Sequence, residues 1–259
     1  MVLMLVGLGL DYGDISVRAL ESLKKADLVY LERYTSTASE KYIRFLEGNI
    51  KCGITEIGRS DLEEKSAMLV DSAANSAVAV LVPGDPLVAT THHILLESAY
   101  KKGVSVEVYH SSSILSAAIG ESGLDIYKFG PTTTIPFWKE NYKPVSFIDT
   151  VNRNVQNGNH TIVLMDFDQS TGSTVQLQEA LERLLFAEKE RGYGIFKDRK
   201  IMIMFDIGKP TSSIIMASMR YISKVDAKAV KGKMLTIIVP GKMSFAEEEL
   251  SSRFIPKNT

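Results

Sequence analysis

The stretch that decides the fold is "AVAVLVPGDPLVATTHH", residues 77–93. The apolar run Ala77–Val82 has no polar break and stops at Pro-Gly-Asp-Pro. A strand with one wet face would alternate apolar and polar residues. An unbroken run suits a strand covered by helices on both faces, which is the setting of a parallel sheet. The chain then has to leave the sheet sharply. Pro83 and Pro86 stiffen that turn and Gly84 can take a positive φ. Asp85 would either accept N–H groups inside the turn or face a ligand, and the residues alone favour neither.

The surrounding sequence repeats the pattern. Val2–Val6 predicts a first strand, ending in the turn "GLGLDYGD". A helix is expected from Ile15, with Ile15, Ala19, Leu20 and Leu23 on one face and Asp14 as N-cap. Leu28–Leu31 and Ile50–Ile54 read as strands, and Lys41–Leu46, Asp61–Ala74 and Thr91–Lys102 as helices. Val104–Tyr109 is another strand. Strand and helix alternate, which predicts a largely parallel α/β sheet.

The second half is more mixed. "SSSILSAAIGESG" reads as a helix ending at Gly123, and "YKFGPTTTIPFW" as an edge strand with loops. Ser146–Asn157 is helical and "GNHTIVLMDF" holds a strand. Val175–Arg191 is the clearest amphipathic helix, with Leu177, Leu181, Leu184 and Leu185 at helical spacing. Lys200–Phe205 and Met234–Val239 are strands, and "FAEEELSS" is a closing helix. We expect two domains: an N-terminal α/β domain over residues 1–110 and a C-terminal α+β domain over 111–259.

Composition excludes several classes. The 259 residues are 45% hydrophobic and 24% charged, with 30 basic against 31 acidic side chains. That balance argues against a dedicated nucleic-acid surface or a polybasic membrane anchor. The apolar N-terminus is too short to span a bilayer. Cys52 is the one cysteine, so no disulfide forms within the chain, which suits a reducing cytoplasm.

Three constellations could carry chemistry. "GLGLDYGD" follows a strand but puts Tyr12 where the dinucleotide fingerprint needs its third glycine, so nicotinamide or flavin binding is disfavoured. Asp85 sits at a strand's carboxyl end, well placed for a ribose hydroxyl or an ammonium group. "SSSI", Ser111–Ile114, opens a helix whose free N–H groups are capped by a hydroxyl or offered to an anion. His92 and His93 are adjacent and point to different faces. No metal site is expected, since there is no Cys pair and no His-x-x-x-His. No Gly-x-Ser-x-Gly elbow occurs either.

The ordered set "VGLGL", "VYLERYTS", "VPGDPLVATTHH", "SSSILSA", "YKFG" and "FIDTVNRNVQNGNHTIVLMD" resembles the diphthine synthases. These are S-adenosylmethionine-dependent methyltransferases of the tetrapyrrole methylase-like superfamily. "GLGL" and "GDP" mark the superfamily; "LERYTS", "ATTHH", "YKFG" and "QNGNHT" separate this family from the porphyrin-precursor methylases. The resemblance implies two α/β domains of the tetrapyrrole methylase type with the cofactor cleft between them, in a cytoplasmic homodimer. The cofactor would be S-adenosyl-L-methionine, leaving as S-adenosyl-L-homocysteine. Cofactor contacts are implied at Leu10, Asp85, Val88, Ser113 and Ile114, and in the second half at Leu164, Phe205 and Leu235. The implied substrate is translation elongation factor 2, on which the amino-carboxypropyl group of a modified histidine is methylated several times in diphthamide biosynthesis. The amine is the acceptor, and in the eukaryotic enzymes the carboxylate also. Asp11-Tyr12-Gly13-Asp14, Phe205-Asp206 and Leu235 depart from the family pattern. A tetrapyrrole-precursor methyltransferase and a non-catalytic cofactor-binding regulator are the rival readings.

Methyl transfer from a sulfonium is an in-line displacement. An α-amino acceptor, with pKa about 7.7–8.0, is already roughly a tenth to a fifth neutral at pH 7. Alignment can contribute roughly 7–11 kcal/mol. We therefore expect no single essential acid–base residue.

Overall fold

The computed structural model describes residues 1–34, 36, 38–63, 66–168 and 171–257. It divides into two compact units, Met1–Ile114 and Leu115–Thr259.

The first unit runs β1 (Val2–Gly7), α1 (Val17–Leu23), β2 (Leu28–Glu32), α2 (Glu40–Glu47), β3 (Ile54–Ile57), α3 (Arg59–Glu63), α4 (Ser66–Asn75), β4 (Ala77–Val82), α5 (His93–Lys101) and β5 (Ser105–Tyr109). Its five strands lie in the order β3-β2-β4-β1-β5 and every pairing is parallel. Alternation within the central strands feeds two cores. Met4, Val6, Ala79 and Leu81 pack on one face. Leu3, Leu5, Val78, Val80 and Val82 pack on the other. That double covering is why the run at 77–82 carries no polar residue.

Some expectations need correction. The N-cap of α1 is Ser16, whose hydroxyl accepts from Ala19 N–H, and not Asp14. β3 begins at Ile54 rather than at Ile50, because residues 48–53 form the turn that closes α2. Cys52 accordingly sits before the strand, with its thiol directed at the Ala26 carbonyl at 3.7 Å. The helix expected over 61–74 is represented by α3 and α4; its residues 64 and 65, like Thr35 of "LERYTS", lie outside the described residues.

The second unit holds α6 (Ile114–Ser122), which begins at its border, β6 (Thr133–Ile135), α7 (Phe147–Gln156), β7 (Thr161–Met165), β8 (Phe167–Asp168), β9 (Ser173–Thr174), α8 (Leu177–Arg191), β10 (Lys200–Phe205), β11 (Ser213–Ser218), α9 (Met219–Ile222), α10 (Ala227–Val230), β12 (Leu235–Val239) and α11 (Phe245–Ser252). The sheet order is β11-β10-β12-β7-β6, antiparallel except for β6 and β7. α8 closes on Gly192 in the left-handed conformation. Its Leu177, Leu181 and Leu184 enter the core, whereas Leu185 is 48% exposed, since successive helical residues differ by about 100°. No helix among the described residues is long and apolar enough to cross a membrane.

Candidate functional site

In the first sheet β1 and β4 are neighbours, yet the chain leaves them in opposite directions, from β1 toward β2 and from β4 toward β5. Ligands of open α/β sheets bind in the region beyond the carboxyl ends of the strands, where adjacent strands lead in different directions. The two turns singled out in the sequence occupy it. Leu8 N–H donates to the Val82 carbonyl at 2.8 Å, Gly9 N–H to the Gly84 carbonyl at 3.1 Å, and Gly84 N–H to the Gly9 carbonyl at 2.8 Å. Gly9 needs φ +73°, and a Cβ on Gly7 would lie 2.8 Å from the Gly84 carbonyl and 2.9 Å from Ser111 Cβ. The ends of β1, β4 and β5 therefore converge only because a side chain is missing there.

Two aspartates organise this region. Asp85 is buried. Its Oδ1 accepts from Leu87 N–H at 3.0 Å, and its Oδ2 from His110 Nδ1 at 2.8 Å and Ser111 N–H at 3.3 Å. Asp14 holds the longer turn after β1. Its Oδ2 accepts from Leu10 N–H at 2.9 Å, Asp11 N–H at 3.2 Å and the Ser112 hydroxyl at 2.8 Å. The Ser111 hydroxyl donates to the Asp14 carbonyl at 3.0 Å. Ser111 and Ser112 thus tie β5 to the β1 turn. The departure Asp11-Tyr12-Gly13-Asp14 has a physical account, for Asp14 satisfies the N–H groups of Leu10 and Asp11 in this turn. Behind the turn, the Tyr42 hydroxyl donates to the Leu8 carbonyl at 2.8 Å and accepts from Ile15 N–H at 3.1 Å. Burial pushes that phenol well above its ordinary pKa, more than the Ile15 bond lowers it.

Leu10, Asp85 and the segment leading to Ser113 and Ile114 are therefore brought together. Leu10 is half-buried and its N–H also lies 3.3 Å from Ser112 Oγ. Ser113 is buried just before α6, which Ile114 opens. Val88 follows Asp85 in the turn and is 37% exposed. In the second unit, Phe205 and Leu235 are direct partners across β10 and β12, and both side chains belong to the core. Leu164 is half-buried on β7, next to Val163, which pairs with Ile237 of β12. The side chains of Phe205 and Leu235 are packed inward, 2% and 5% exposed. Asp206, at φ 51°, clamps the same strand ends. Its N–H donates to the Met234 carbonyl at 2.8 Å and its Oδ1 accepts from Met234 N–H at 3.0 Å.

His110 was not legible as a site residue, and although Asp14 and Ser112 lie in the singled-out "GLGLDYGD" and "SSSI", their pairing was not, because each meets its partner only through sheet order. His92 is buried, its Nδ1 3.0 Å from the Pro86 carbonyl, whereas His93 is exposed. The acceptor-rich region carries Asp11, Asp14 and Asp85. It suits ammonium and hydroxyl groups and would repel a phosphate. Two oxygens offer about four lone-pair sites, and Asp85 uses three of them within the protein. The space beside Gly84 is open, with nothing within 4 Å of a built Cβ. A cationic, hydroxyl-bearing donor such as S-adenosylmethionine fits these groups.

The family model described as Tetrapyrrole (Corrin/Porphyrin) Methylases matches residues 2–220. A diphthine synthase of Methanothermobacter thermautotrophicus is 33% identical over 249 residues, covering 96% of this chain and 93% of that protein. One of Methanocaldococcus jannaschii is 34% identical over 253 residues, covering 96% of each. A crystal structure of diphthine synthase superposes with a TM-score of 0.86 at 30% identity, over 99% of this chain and 97% of that one.

Proposed function

The chain belongs to the tetrapyrrole (corrin/porphyrin) methylases, among the diphthine synthases, and from that membership we propose how it acts and on what. It is an S-adenosylmethionine-dependent methyltransferase of diphthamide biosynthesis. Its proposed substrate is translation elongation factor 2, on which it adds methyl groups to the amine of the modified histidine's amino-carboxypropyl group.

The observation that carries the reading is the joined pair of turns at the β1/β4 switch point, with Asp85 at its centre. When bound, S-adenosylmethionine supplies a sulfonium methyl for in-line displacement by the amine. Asp85 would accept from a hydroxyl or ammonium of the donor. The main chain at Leu10, Val88, Ser113 and Ile114 would line the donor and hold water away. The assignments at Leu164, Phe205 and Leu235 rest on the motif match alone. Holding donor and acceptor in line can contribute roughly 7–11 kcal/mol. A cytoplasmic homodimer, divided near residue 110 into an α/β and an α+β domain, completes the proposal; the lone Cys52 thiol suits a reducing compartment.

The test is mass spectrometry of elongation factor 2 carrying the amino-carboxypropyl histidine, after incubation with the protein and S-adenosylmethionine. We expect successive methyl additions on that side chain. Methylation of a porphyrin precursor instead, or cofactor binding without turnover on either, would replace this reading by one of its rivals.

A further inference from the structure

We propose that His110, paired with Asp85, is the base that takes the proton from the acceptor amine before each methyl transfer. This deepens the methyltransferase reading above and rests on it.

His110 directly follows β5, at the carboxyl end of that strand. Its Nδ1 lies 2.8 Å from Asp85 Oδ2, and the His110 side chain is 67% exposed while that of Asp85 is 6% exposed. A carboxylate only accepts, so Nδ1 carries the hydrogen and Nε2 keeps its lone pair. Leu87 N–H at 3.0 Å and Ser111 N–H at 3.3 Å fix the carboxylate from the protein side. A buried aspartate orienting a histidine whose other nitrogen is open is the base-and-orienter arrangement of proton-abstracting sites. The other histidines do not have it. His92 and His160 are buried, and His93 lies on the exposed first turn of α5.

The charged groups on the elements meeting at His110 are Asp85 after β4, Asp11 and Asp14 after β1, and Glu107 on β5 itself. Glu107 is bonded to the Tyr109 hydroxyl. Arg18 of α1 stacks on the Tyr109 ring at 5.1 Å.

The step balances. The acceptor ammonium gives a proton to Nε2, leaving a free amine and an imidazolium stabilised by Asp85. The amine lone pair forms a bond to the sulfonium methyl. The carbon–sulfur bond breaks, and its electron pair stays on sulfur as a neutral thioether. The imidazolium returns its proton to water. The cycle repeats while the nitrogen still bears hydrogen and stops at the quaternary ammonium, which has none to give.

The test measures kcat from pH 6.5 to 9.5, at saturating donor and acceptor, for the unaltered protein and for His110→Ala and His110→Gln. Without a base to take it, the ammonium proton is trapped in the water-excluded site, so only acceptor that binds as the neutral amine reacts, about a tenth to a fifth of the total at pH 7 and nearly all of it at pH 9.5. We expect both variants to lose about tenfold in kcat at pH 7 and to come within about twofold of the unaltered protein at pH 9.5. Glutamine can still bond to Asp85 but cannot take a proton, so it must behave as alanine does. Full rescue by glutamine, a deficit independent of pH, or no deficit would each overturn the proposal. Absence of transfer by the unaltered protein would overturn the methyltransferase reading, and this one with it.

Discussion

Asp85 shows how much one position can and cannot say. The sequence places a carboxylate after a buried strand and leaves two roles open, turn acceptor or ligand acceptor. The structure gives it the first role, toward Leu87 N–H. It adds a second within the protein, toward His110 and Ser111 across the sheet. Asp85→Asn keeps the shape but swaps one acceptor oxygen for an NH₂ and removes the charge. A hydrogen bond to a charged group is worth about 1.5–3 kcal/mol. We therefore expect S-adenosylhomocysteine to bind about 10- to 100-fold more weakly by titration calorimetry. Unchanged affinity would remove Asp85 from the site. At this scale Asp14 was misassigned as a helix cap, because an aspartate before an apolar face looks the same whether it caps or closes a turn.

At the scale of elements, the motifs "YKFG" and "QNGNHT" build a joint within the second unit. His160 donates from Nε2 to Glu247 Oε1 at 2.8 Å and accepts from Gly241 N–H at Nδ1 at 2.9 Å. Lys128 bonds the other Glu247 oxygen and the Lys242 carbonyl. Asn154 donates to the Pro131 carbonyl and to Thr161 Oγ1, both at 2.9 Å. Glu247 also completes the capping box of α11 with Ser244. Burial holds the His160 pKa below its ordinary value, against the pull of Glu247. Burial alone would raise the Glu247 carboxyl, but bonds from Lys128, Ser244, Asp125 and His160 outweigh it and hold it well below the usual range. Both groups bind protons more readily when unfolded, near pH 6.5 and 4.3, so stability rises with pH through both windows. On acidification the His160 contribution goes first, below about pH 6.5, and that of Glu247 follows below about 4.3. Denaturant titrations from pH 7.5 to 4 should show this fall. His160→Gln should cost about 1–3 kcal/mol at pH 7 and flatten the slope between pH 7 and 5; an unaltered slope would refute the assignment. Elements with a strong apolar pattern, such as the helical stripe of α8 and the unbroken run of β4, were legible. β11 was missed because its apolar run, Ile214–Ala217, is short enough to read as strand or buried helix, and its edge position leaves its first three residues only half-buried.

At the scale of the molecule, each unit closes its own core around its own sheet, parallel in one and mixed in the other. The proposed homodimer makes a direct prediction. Sedimentation equilibrium of the purified protein should return twice the chain mass of 28.6 kDa, and a single-chain mass at micromolar concentration would rule the dimer out.

The sequence by itself determined that the first half is a helix-covered parallel sheet, that the second half is mixed, and that the turns after β1 and β4 are rich in glycine and carboxylate. Those properties depend on residues a few positions apart, where apolar spacing and turn chemistry act. Only the tertiary structure decided that these turns touch each other and the end of β5. Asp85 meets His110 across 25 positions and Asp14 meets Ser112 across 98. Strand order sets such pairs, and strand order follows from how whole faces bury against one another, which no local pattern encodes.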